Sequence, residues 1–276
     1  MKSLFFGDPS EPLINSIRAS ATYDLVVEQL RRAIFLGRFI PGDKLPPERE
    51  LASQMLVSRT TIREALRVLE GEGLITVKRG AAGGLTVLGQ GRLRPAEIEV
   101  YLESQHELID SVFEFRVANE CLAASLAATR RTKKHLDRMS KALQIMADLC
   151  STPQTRAVTE NIAMFLSRDS EFHLAIAEAS SNKFLMAAIE ESRAAMFLPI
   201  GKVFTRLEDN ANDHHEAIYQ AIKDRNPELA AQTMRLHIEA TRASLHNLLP
   251  KSRRTRKKQI SVPAKKSARR KASASQ

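Results

Sequence analysis

The pattern of apolar and polar residues changes in kind part-way along the chain. In the first third, apolar residues recur three to four positions apart and are followed by two short β-prone runs. Helices are predicted over Tyr23–Leu36, over Glu48–Met55 and from the N-cap Ser58 to about Glu70, and strands over Leu74–Lys78 and Leu85–Leu88. Three helices followed by a β-hairpin make up a winged helix-turn-helix.

Beyond Pro95 strand signals nearly vanish, and the chain up to Leu249 is predicted to be helical throughout. Asn226-Pro227 supplies an N-cap followed by proline at the first helical position. Three apolar stripes support the assignment: Leu108, Val112, Phe115, Asn119, Leu122 and Leu126; Phe165, Asp169, Phe172 and Ile176; Ala230, Met234, His237, Thr241, Leu245 and Leu248. The predicted fold class is therefore mainly α, with a winged helix-turn-helix before an all-α bundle.

These patterns divide the chain into five parts. We expect a mobile extension over 1–20, the winged helix over 21–90, a linker over 91–102, the helical domain over 103–249 and a disordered basic tail over 250–276. Of the formal charge of +10, the tail alone contributes +11. It is expected to add sequence-independent, salt-sensitive attraction to phosphates, or to serve as a solvated tail.

Other function classes are excluded by composition. No apolar run is long enough for a membrane span, and no secretory signal pattern occurs at the N-terminus. The two cysteines, Cys121 and Cys150, lack the spacing of a disulfide framework or a cysteine-held zinc site. A cytoplasmic protein, bound to the nucleoid when it engages DNA, is the expectation.

The third predicted helix carries the chemistry of a DNA-recognition helix. Ile62, Leu66 and Leu69 share an inward face. A second face at the same spacing carries Arg59, Arg63, Arg67 and Glu70. Ser58, Thr60 and Thr61 crowd the helix start, where backbone N–H groups favour phosphate. Arginine can bind guanine through two hydrogen bonds, and threonine hydroxyls can reach phosphates or bases. The alternative is a solvated charged helix with an ordinary serine cap.

The segment LPPERELASQMLVSRTTIREALRVLEGEGLI closely resembles the DNA-binding domain of the GntR family, and the resemblance extends from Tyr23 to Leu88. It implies that Arg49, Arg59 and Arg63 make the principal DNA contacts, supported by Ser58, Thr60 and Thr61. The run KRGAAGGLTV is similar to the glycine-bearing wing of that family, which would bring Arg79 and Gly80 to the minor groove.

The helical region carries a second candidate site. Asp169 and His173 lie four residues apart and project from one helix face, and His237 lies within an apolar stripe. One aspartate with three histidines on inward faces can bind a divalent metal. The alternatives are a local Asp–His ion pair and histidines that are simply hydrogen-bonded in the core. Periodicity does not choose between His214 and His215, which flank the inner face of their helix.

The segments RDSEFHLAIAEASSNKFL and HHEAIYQAIKDRNPELAAQTMRLHIEATRASL are similar to the FCD ligand-binding domain of the FadR subfamily of GntR regulators. This resemblance implies a divalent metal, zinc or nickel above all, held by Asp169, His173, His215 and His237. It also makes Arg116 a candidate to bind an effector carboxylate, the alternative being an ion pair with Glu120. Asn182 matches a family position as an effector contact or, alternatively, as a helix cap.

The resulting expectation is a transcriptional regulator, not an enzyme. A homodimer would present two winged helices to a palindromic operator on double-stranded DNA. A small organic or sugar acid bound at the metal would weaken operator binding, so that the protein acts as a repressor. Two alternatives remain at this point: a fatty-acyl-responsive regulator without metal, and a metal-dependent hydrolase fused to a DNA-binding domain.

Overall fold

The structure is a computed structural model of the 276-residue chain. It describes residues 22–78, 84–88, 95–201, 203, 206–208 and 211–248. The expected N-terminal extension, the basic tail and the tip of the wing, including Arg79 and Gly80, lie outside the described residues. Within the described ranges, no helix is both long enough and apolar enough to cross a membrane.

The first domain is a winged helix-turn-helix. Its elements are α1 (Thr22–Phe35), α2 (Glu48–Met55), α3 (Arg59–Gly71), β1 (Ile75–Lys78) and β2 (Gly84–Val87). The two strands form an antiparallel hairpin in which Ile75 pairs with Val87 and Lys78 with Gly84. Each element lies within about two residues of its predicted position, because apolar spacing and glycine or proline punctuation mark the boundaries clearly.

The core of this domain forms under α3. Ile62, Leu66 and Leu69 are buried on its inner face, as their spacing predicts, and α1 and α2 pack against the same helix. Since the inner face is filled by apolar side chains, the arginines of the opposite face stay in solvent. This arrangement presents the outer face of α3 beside the hairpin.

The helices and turns of the second domain include no strand among the described residues, which confirms the predicted fold class. Its helices are α4 (Pro95–Arg130), α5 (Lys133–Cys150), α6 (Thr159–Ala179), α7 (Lys183–Gly201), α8 (Asp213–Lys223) and α9 (Pro227–Asn247). A short 3-10 helix, Thr155–Ala157, precedes α6. Asn226 caps α9 by accepting a hydrogen bond from the Leu229 N–H, as the Asn-Pro pair predicts. Helix α4 packs against α6, α7, α8 and α9.

The interval 91–102, expected as a linker, is helical from Pro95 onward. Helix α4 begins at Pro95, and Ile98 and Leu102 are already buried in the core of the helical domain. Proline is favoured in the first turn of a helix, where its missing N–H costs nothing, so Pro95 starts a helix here.

The apolar stripe predicted on α4 is not the face of that helix that packs into the core. Leu108, Phe115 and Leu122 are 47%, 44% and 50% exposed, whereas the buried face of α4 passes through Phe113 and Arg116. The core face therefore lies beside the predicted stripe and carries charged as well as apolar residues. Apolar spacing located a second face of α4, which no described part of the chain covers.

Candidate functional site

Four candidate metal ligands converge from three helices. Asp169 and His173 come from α6, His215 from α8 and His237 from α9. One ligand atom from each side chain lies within 4.8 Å of the others. The three histidines are buried, and Asp169 is partly buried. The structure thus brings together the whole set that the sequence resemblance implies.

The four residues meet because α6 turns two positions inward, and α8 and α9 each turn one inward. Asp169 and His173 are separated by one turn of α6, so their side chains share a face. The imidazole rings of His215 and His237 have centroids 4.3 Å apart, and those of His173 and His237 are 5.1 Å apart. Phe172 packs edge-on to His173 and His215, which fixes the position of both rings.

Asp169 is the electrostatic centre of the cluster. Its Oδ1 lies 2.8 Å from His215 Nε2, and its Oδ2 forms an ion pair with Nη2 of Arg193 on α7. Burial tends to raise the pKa of the Asp169 carboxyl, but the charge of Arg193 and the contact with His173 outweigh burial and hold that pKa well below its usual value. Asp169 is therefore ionised at neutral pH.

Burial lowers the pKa of two of the histidines, whereas it raises the pKa of a carboxyl group. Loss of hydration lowers the pKa of His215, although Asp169 opposes part of this change. The pKa of His237 is held well below its usual value by burial and by the neighbouring histidines. Both rings are neutral at pH 7, which is the form of imidazole that coordinates a metal.

The cluster fits a divalent metal on the evidence of its own atoms. His173 Nε2 is buried, lies 3.6 Å from Asp169 Oδ1 and has no hydrogen-bond partner among the described residues. Buried polar atoms without a partner are rare and mark a place where an ion or water belongs. Ligand atoms about 2.0–2.2 Å from a shared zinc lie about 3–4 Å apart, so small side-chain rotations would complete this site.

The structure separates the two members of the histidine doublet. His215 is buried and contacts Asp169, whereas His214 is exposed and stays outside the four-residue cluster. Periodicity alone left this choice open. Since successive helical residues point about 100° apart, only one of the two rings can face Asp169.

A second buried polar group lies behind the cluster, and sequence reasoning did not assign it to the site. Glu120 on α4 is buried; its Oε1 accepts a hydrogen bond of 2.5 Å from Arg116 Nε, and its Oε2 contacts His173 Nδ1. Burial raises the pKa of Glu120, but Arg116 and His173 outweigh it and keep that pKa well below normal. A carboxylate on the second ring nitrogen is the usual way in which a metal-binding histidine is oriented.

Arg116 makes the ion pair with Glu120 that was the alternative to effector binding. Only its Nε is used: Nη1 and Nη2 are buried and have no hydrogen-bond partner among the described residues.

Arg193 is a site residue that the sequence analysis did not predict. Its position on α7 could not be related to Asp169 without knowledge of how α6 and α7 pack.

A cavity of about 160 Å³ adjoins the cluster. Asp169, His215 and His237 form part of its wall, together with the exposed Arg206 and His214. Thr241 and Ser244 on α9 add hydroxyl groups to the lining, and Phe165 and Met196 add apolar surface. Such a mixture suits a small polar molecule more than a long apolar one.

Asn182 lies elsewhere. Its Oδ1 accepts hydrogen bonds from the N–H groups of Phe184 and Leu185, which makes it the cap of α7. It is not among the residues that line the cavity. The structure therefore shows the helix-cap role that was the alternative for this residue.

The outer face of α3 brings the expected DNA-reading residues together. Ser58 caps the helix by accepting a hydrogen bond of 3.1 Å from the Thr61 N–H. Arg59 and Arg63 are 60% and 56% exposed, and both approach Glu48 of α2. The closer approach is a 2.9 Å hydrogen bond from Arg63 Nε to Glu48 Oε2. Arg49 and Thr60 are exposed on the same domain.

A groove of about 790 Å³ runs between α3 and the hairpin. Besides Arg63, three basic residues line it that were not among the expected contacts: Lys44, Arg67 and Lys78. Spacing on α3 points to Arg67. Lys44 reaches the groove because the segment before α2 pairs with β2 through a bridge between Lys44 and Thr86, and Lys78 reaches it as the last residue of β1.

Two family models match the chain. The model described as "Bacterial regulatory proteins, gntR family" covers residues 22–83, and the model described as "FCD domain" covers residues 111–240. The Uxu operon regulator of Haemophilus influenzae is 31% identical over 242 residues, which make up 82% of this chain and 83% of that protein. This chain belongs to the GntR family.

This GntR protein has further relatives among known regulators. The Exu regulon transcriptional regulator of Escherichia coli is 29% identical over 231 residues, covering 82% of this chain and 84% of that protein. A solved structure, Streptococcus agalactiae GntR, is 26% identical, covers 80% of this chain and 99% of that chain, and has a TM-score of 0.42.

The matched domains and the relatives establish the class of activity. The chain is a DNA-binding transcriptional regulator and not an enzyme, and its FCD domain implies a small-molecule effector. The hydrolase alternative is therefore set aside. FCD domains commonly bind a metal, and the Asp/His cluster described above is such a candidate site.

Proposed function

We propose that this regulator senses a small carboxylate through a divalent metal held by Asp169, His173, His215 and His237. The observation that carries the proposal is the convergence of these four ligands: His173 has an orphaned buried nitrogen, and the other three lie on the wall of a cavity. Three imidazoles and one carboxylate form a donor set that suits zinc or nickel. The metal, when bound, supplies a positive charge with positions open to an anionic ligand.

The chain's own residues account for selectivity towards small anions. The cavity of about 160 Å³ is smaller than the roughly 300–1,000 Å³ of sites for drug-sized molecules. Arg206 lies on its wall, and Arg193 adds positive charge beside Asp169. These features support an organic or sugar acid over a fatty-acyl ligand. Arg116 is not among the residues that line the cavity, but it remains a proposed effector contact because its two terminal nitrogens have no hydrogen-bond partner among the described residues and can bind a carboxylate bidentately.

DNA reading is proposed for Arg49, Ser58, Arg59, Thr60, Thr61 and Arg63, with Arg79 and Gly80 of the wing, on a palindromic operator. The exposure of Arg59 and Arg63 beside the groove of α3 supports this assignment. A homodimer of the FadR subfamily would place two such domains on two half-sites. The exposed apolar face of α4 supports association with a second copy.

Repression is part of the proposal: the effector weakens operator binding and so releases the promoter. One curated relative, 26% identical, is named a Glc operon transcriptional activator, so the experiment must be able to reveal either sign. A DNA duplex is first enriched from a random pool by the unaltered protein. The affinity of the protein for this duplex, measured with and without effector, shows the sign of regulation. Tighter binding with effector would contradict the proposed sign of regulation.

The metal site is tested by comparing the two adjacent histidines. Chelator-stripped full-length protein is titrated with zinc or nickel by calorimetry, and bound metal is counted by elemental analysis. We expect one metal per chain for the unaltered protein and for His214→Ala. His215→Ala and Asp169→Ala should bind at least about 10-fold more weakly. Equal affinity in all four proteins would rule out this site.

The effector is then sought by thermal denaturation of the metal-loaded protein with a panel of organic and sugar acids. A ligand of the folded state raises the midpoint by an amount that grows with the logarithm of its concentration over its dissociation constant. The expected hit stabilises the unaltered protein and not Asp169→Ala. Stabilisation by long-chain acyl compounds alone would instead support the metal-free alternative.

A further inference from the structure

Among the described residues, the two domains meet where the end of α1 lies on the surface of α6 and α7. Ser167 on α6 donates a buried hydrogen bond of 2.6 Å from its Oγ to the carbonyl of Gly37. Leu36, the residue before, is 3% exposed and packs into the core of the helical domain, not into that of its own domain. We refer to these residues, with the ion pairs below, as the interdomain contact.

Ion pairs surround this buried centre. Arg32 of α1 lies 2.5 Å from Glu191 and 3.5 Å from Glu190, and Arg38 lies 3.3 Å from Glu190. All four side chains are partly exposed, so each pair contributes little to stability and is weakened by salt. The buried Leu36 and the Ser167 hydrogen bond therefore hold the contact, and the charges set its orientation.

Only glycine fits at position 37. Gly37 has a φ of +68° and ends α1, with the Arg38 N–H bonded to the Ala33 carbonyl. A Cβ built on it would lie 2.5 Å from Oγ and 2.6 Å from Cα of Ser167. Since the second of these atoms belongs to the backbone of α6, no side-chain rotation relieves the overlap. Any larger residue must separate α1 from α6.

The same two helices carry the candidate metal cluster on their other sides. On α6, Ser167 precedes Asp169 by two residues, and on α7, Glu191 precedes Arg193 by two. Residues two apart in a helix point about 200° apart. Each helix therefore turns one side to α1 and the opposite side to the cluster.

Asp169 and Arg193 join α6 to α7 beneath the interdomain contact through their ion pair. A cation bound by Asp169 would repel the guanidinium of Arg193 and compete for the same carboxylate. Occupation of the cluster would thus act on the pairing of the two helices on which α1 rests. Packed helices respond by shifting as rigid bodies, since close-packed interfaces have few intermediate arrangements.

We propose that the interdomain contact at Gly37 and Ser167 transmits the state of the Asp/His cluster to the DNA-reading domain. Metal binding changes how α6 and α7 present their outer faces, and α1 moves with them because Gly37 and Leu36 are seated there. The orientation of α3 relative to a second copy, and hence operator affinity, then depends on the cluster. This inference rests on the proposed function of the cluster as a metal site.

The chain offers a matched control for position 37. Gly73 ends α3 in the same way as Gly37 ends α1: its φ is +71°, and the Leu74 N–H bonds to the Leu69 carbonyl. A Cβ on Gly73 meets nothing within 4 Å. Gly37→Ala and Gly73→Ala therefore impose the same backbone strain, and only the first disturbs the interdomain contact.

The experiment uses the full-length chain, zinc as the only added ligand, and a duplex enriched from a random pool by the unaltered protein. Zinc should change the affinity of the unaltered protein and of Gly73→Ala for this duplex by about 5- to 150-fold. In Gly37→Ala the change should fall below about twofold, while zinc affinity measured by calorimetry stays within about twofold. A full zinc response in Gly37→Ala would overturn the proposal.

A second pair of variants covers the case in which Gly37→Ala fails to fold. Ser167→Ala removes the hydrogen bond to Gly37 without adding volume, and Ser192→Ala is its control because Ser192 is also buried and bonds only within α7. We expect a reduced zinc response in Ser167→Ala alone. Equal responses in the two serine variants would contradict transmission through this contact.

Two failures can be told apart. If the unaltered protein binds no zinc in the calorimeter, the metal site itself is wrong and the transmission proposal falls with it. If zinc binds but leaves DNA affinity unchanged, or acts equally on every variant, only the transmission proposal is overturned.

Discussion

Arg59 and Arg63, on the proposed DNA-reading face of α3, share one acidic neighbour. Both approach Glu48, and Arg63 donates a hydrogen bond to it. On the proposed assignment, binding to DNA would exchange this pair for contacts with bases or phosphates. Because both arginines are more than half exposed and Glu48 is partly exposed, breaking the pair costs little.

Substitution of either arginine by alanine should weaken specific DNA binding. We expect Arg59→Ala and Arg63→Ala each to lose about 1–3 kcal/mol at the selected duplex and to relax base preference nearby, because bidentate base contacts are lost. Arg235→Ala is the control, since Arg235 is also about half exposed and faces one glutamate, but lies on α9. Fluorescence anisotropy against selected and scrambled duplexes measures both effects, and unchanged affinity in both arginine variants would refute the assignment of α3.

At the scale of the element, helix caps decide where two helices begin. Ser58 caps α3 through the Thr61 N–H, and Thr132 caps α5 through a reciprocal pair of bonds with His135. The two caps stabilise their helices by the same physical means. They differ in that only the start of α3 lies on the expected DNA-binding face.

Removal of the two caps should therefore separate stability from function. Ser58→Ala and Thr132→Ala should each lower the free energy of unfolding by about 0.5–2 kcal/mol, because one backbone N–H loses its partner. Only Ser58→Ala should also weaken DNA binding measured well below the melting temperature. Chemical denaturation and anisotropy provide the two measurements, and an equal loss of DNA affinity in Thr132→Ala would show that stability alone is responsible.

At the scale of the whole molecule, the exposed apolar face of α4 is a candidate surface for contact with another protein chain. Leu108, Phe115 and Leu122 repeat every seven residues and stay about half exposed. Larger apolar patches on soluble proteins mark interaction sites. A second copy of the chain fits this face, because a two-fold contact matches an apolar surface to itself.

A charge placed on this face should dissociate the proposed dimer. Leu122→Glu is expected to raise the dissociation constant of the dimer by about 10-fold or more, because a carboxylate would have to be buried without a partner. Phe184→Glu is the control, since Phe184 is 88% exposed on α7, outside this face. Sedimentation velocity over a concentration series distinguishes the two, and an unchanged dimer in Leu122→Glu would place the subunit contact elsewhere.

The success of prediction from sequence varied with the range of the interactions involved. Helix and strand positions in the first domain were predicted closely, and Asp169 and His173 followed from spacing along one helix. Glu120 and Arg193 were not assigned to the site because their partners lie 53 and 24 positions away. On α4 the apolar stripe was found, but its exposure was not, since spacing reveals an apolar face without saying what covers it.

The sequence by itself determined what local physical chemistry specifies, namely the winged helix, the helical domain and the cap at Ser58, and its motifs carried the resemblance to the family. The tertiary structure decided which of His214 and His215 faces Asp169, that Arg116 pairs with Glu120, and that Gly37 touches Ser167. Periodicity and capping depend on residues within about one turn of each other, and the chain displays them directly. Contacts between helices depend on how rigid elements pack, and that arrangement is specified only by all of them together.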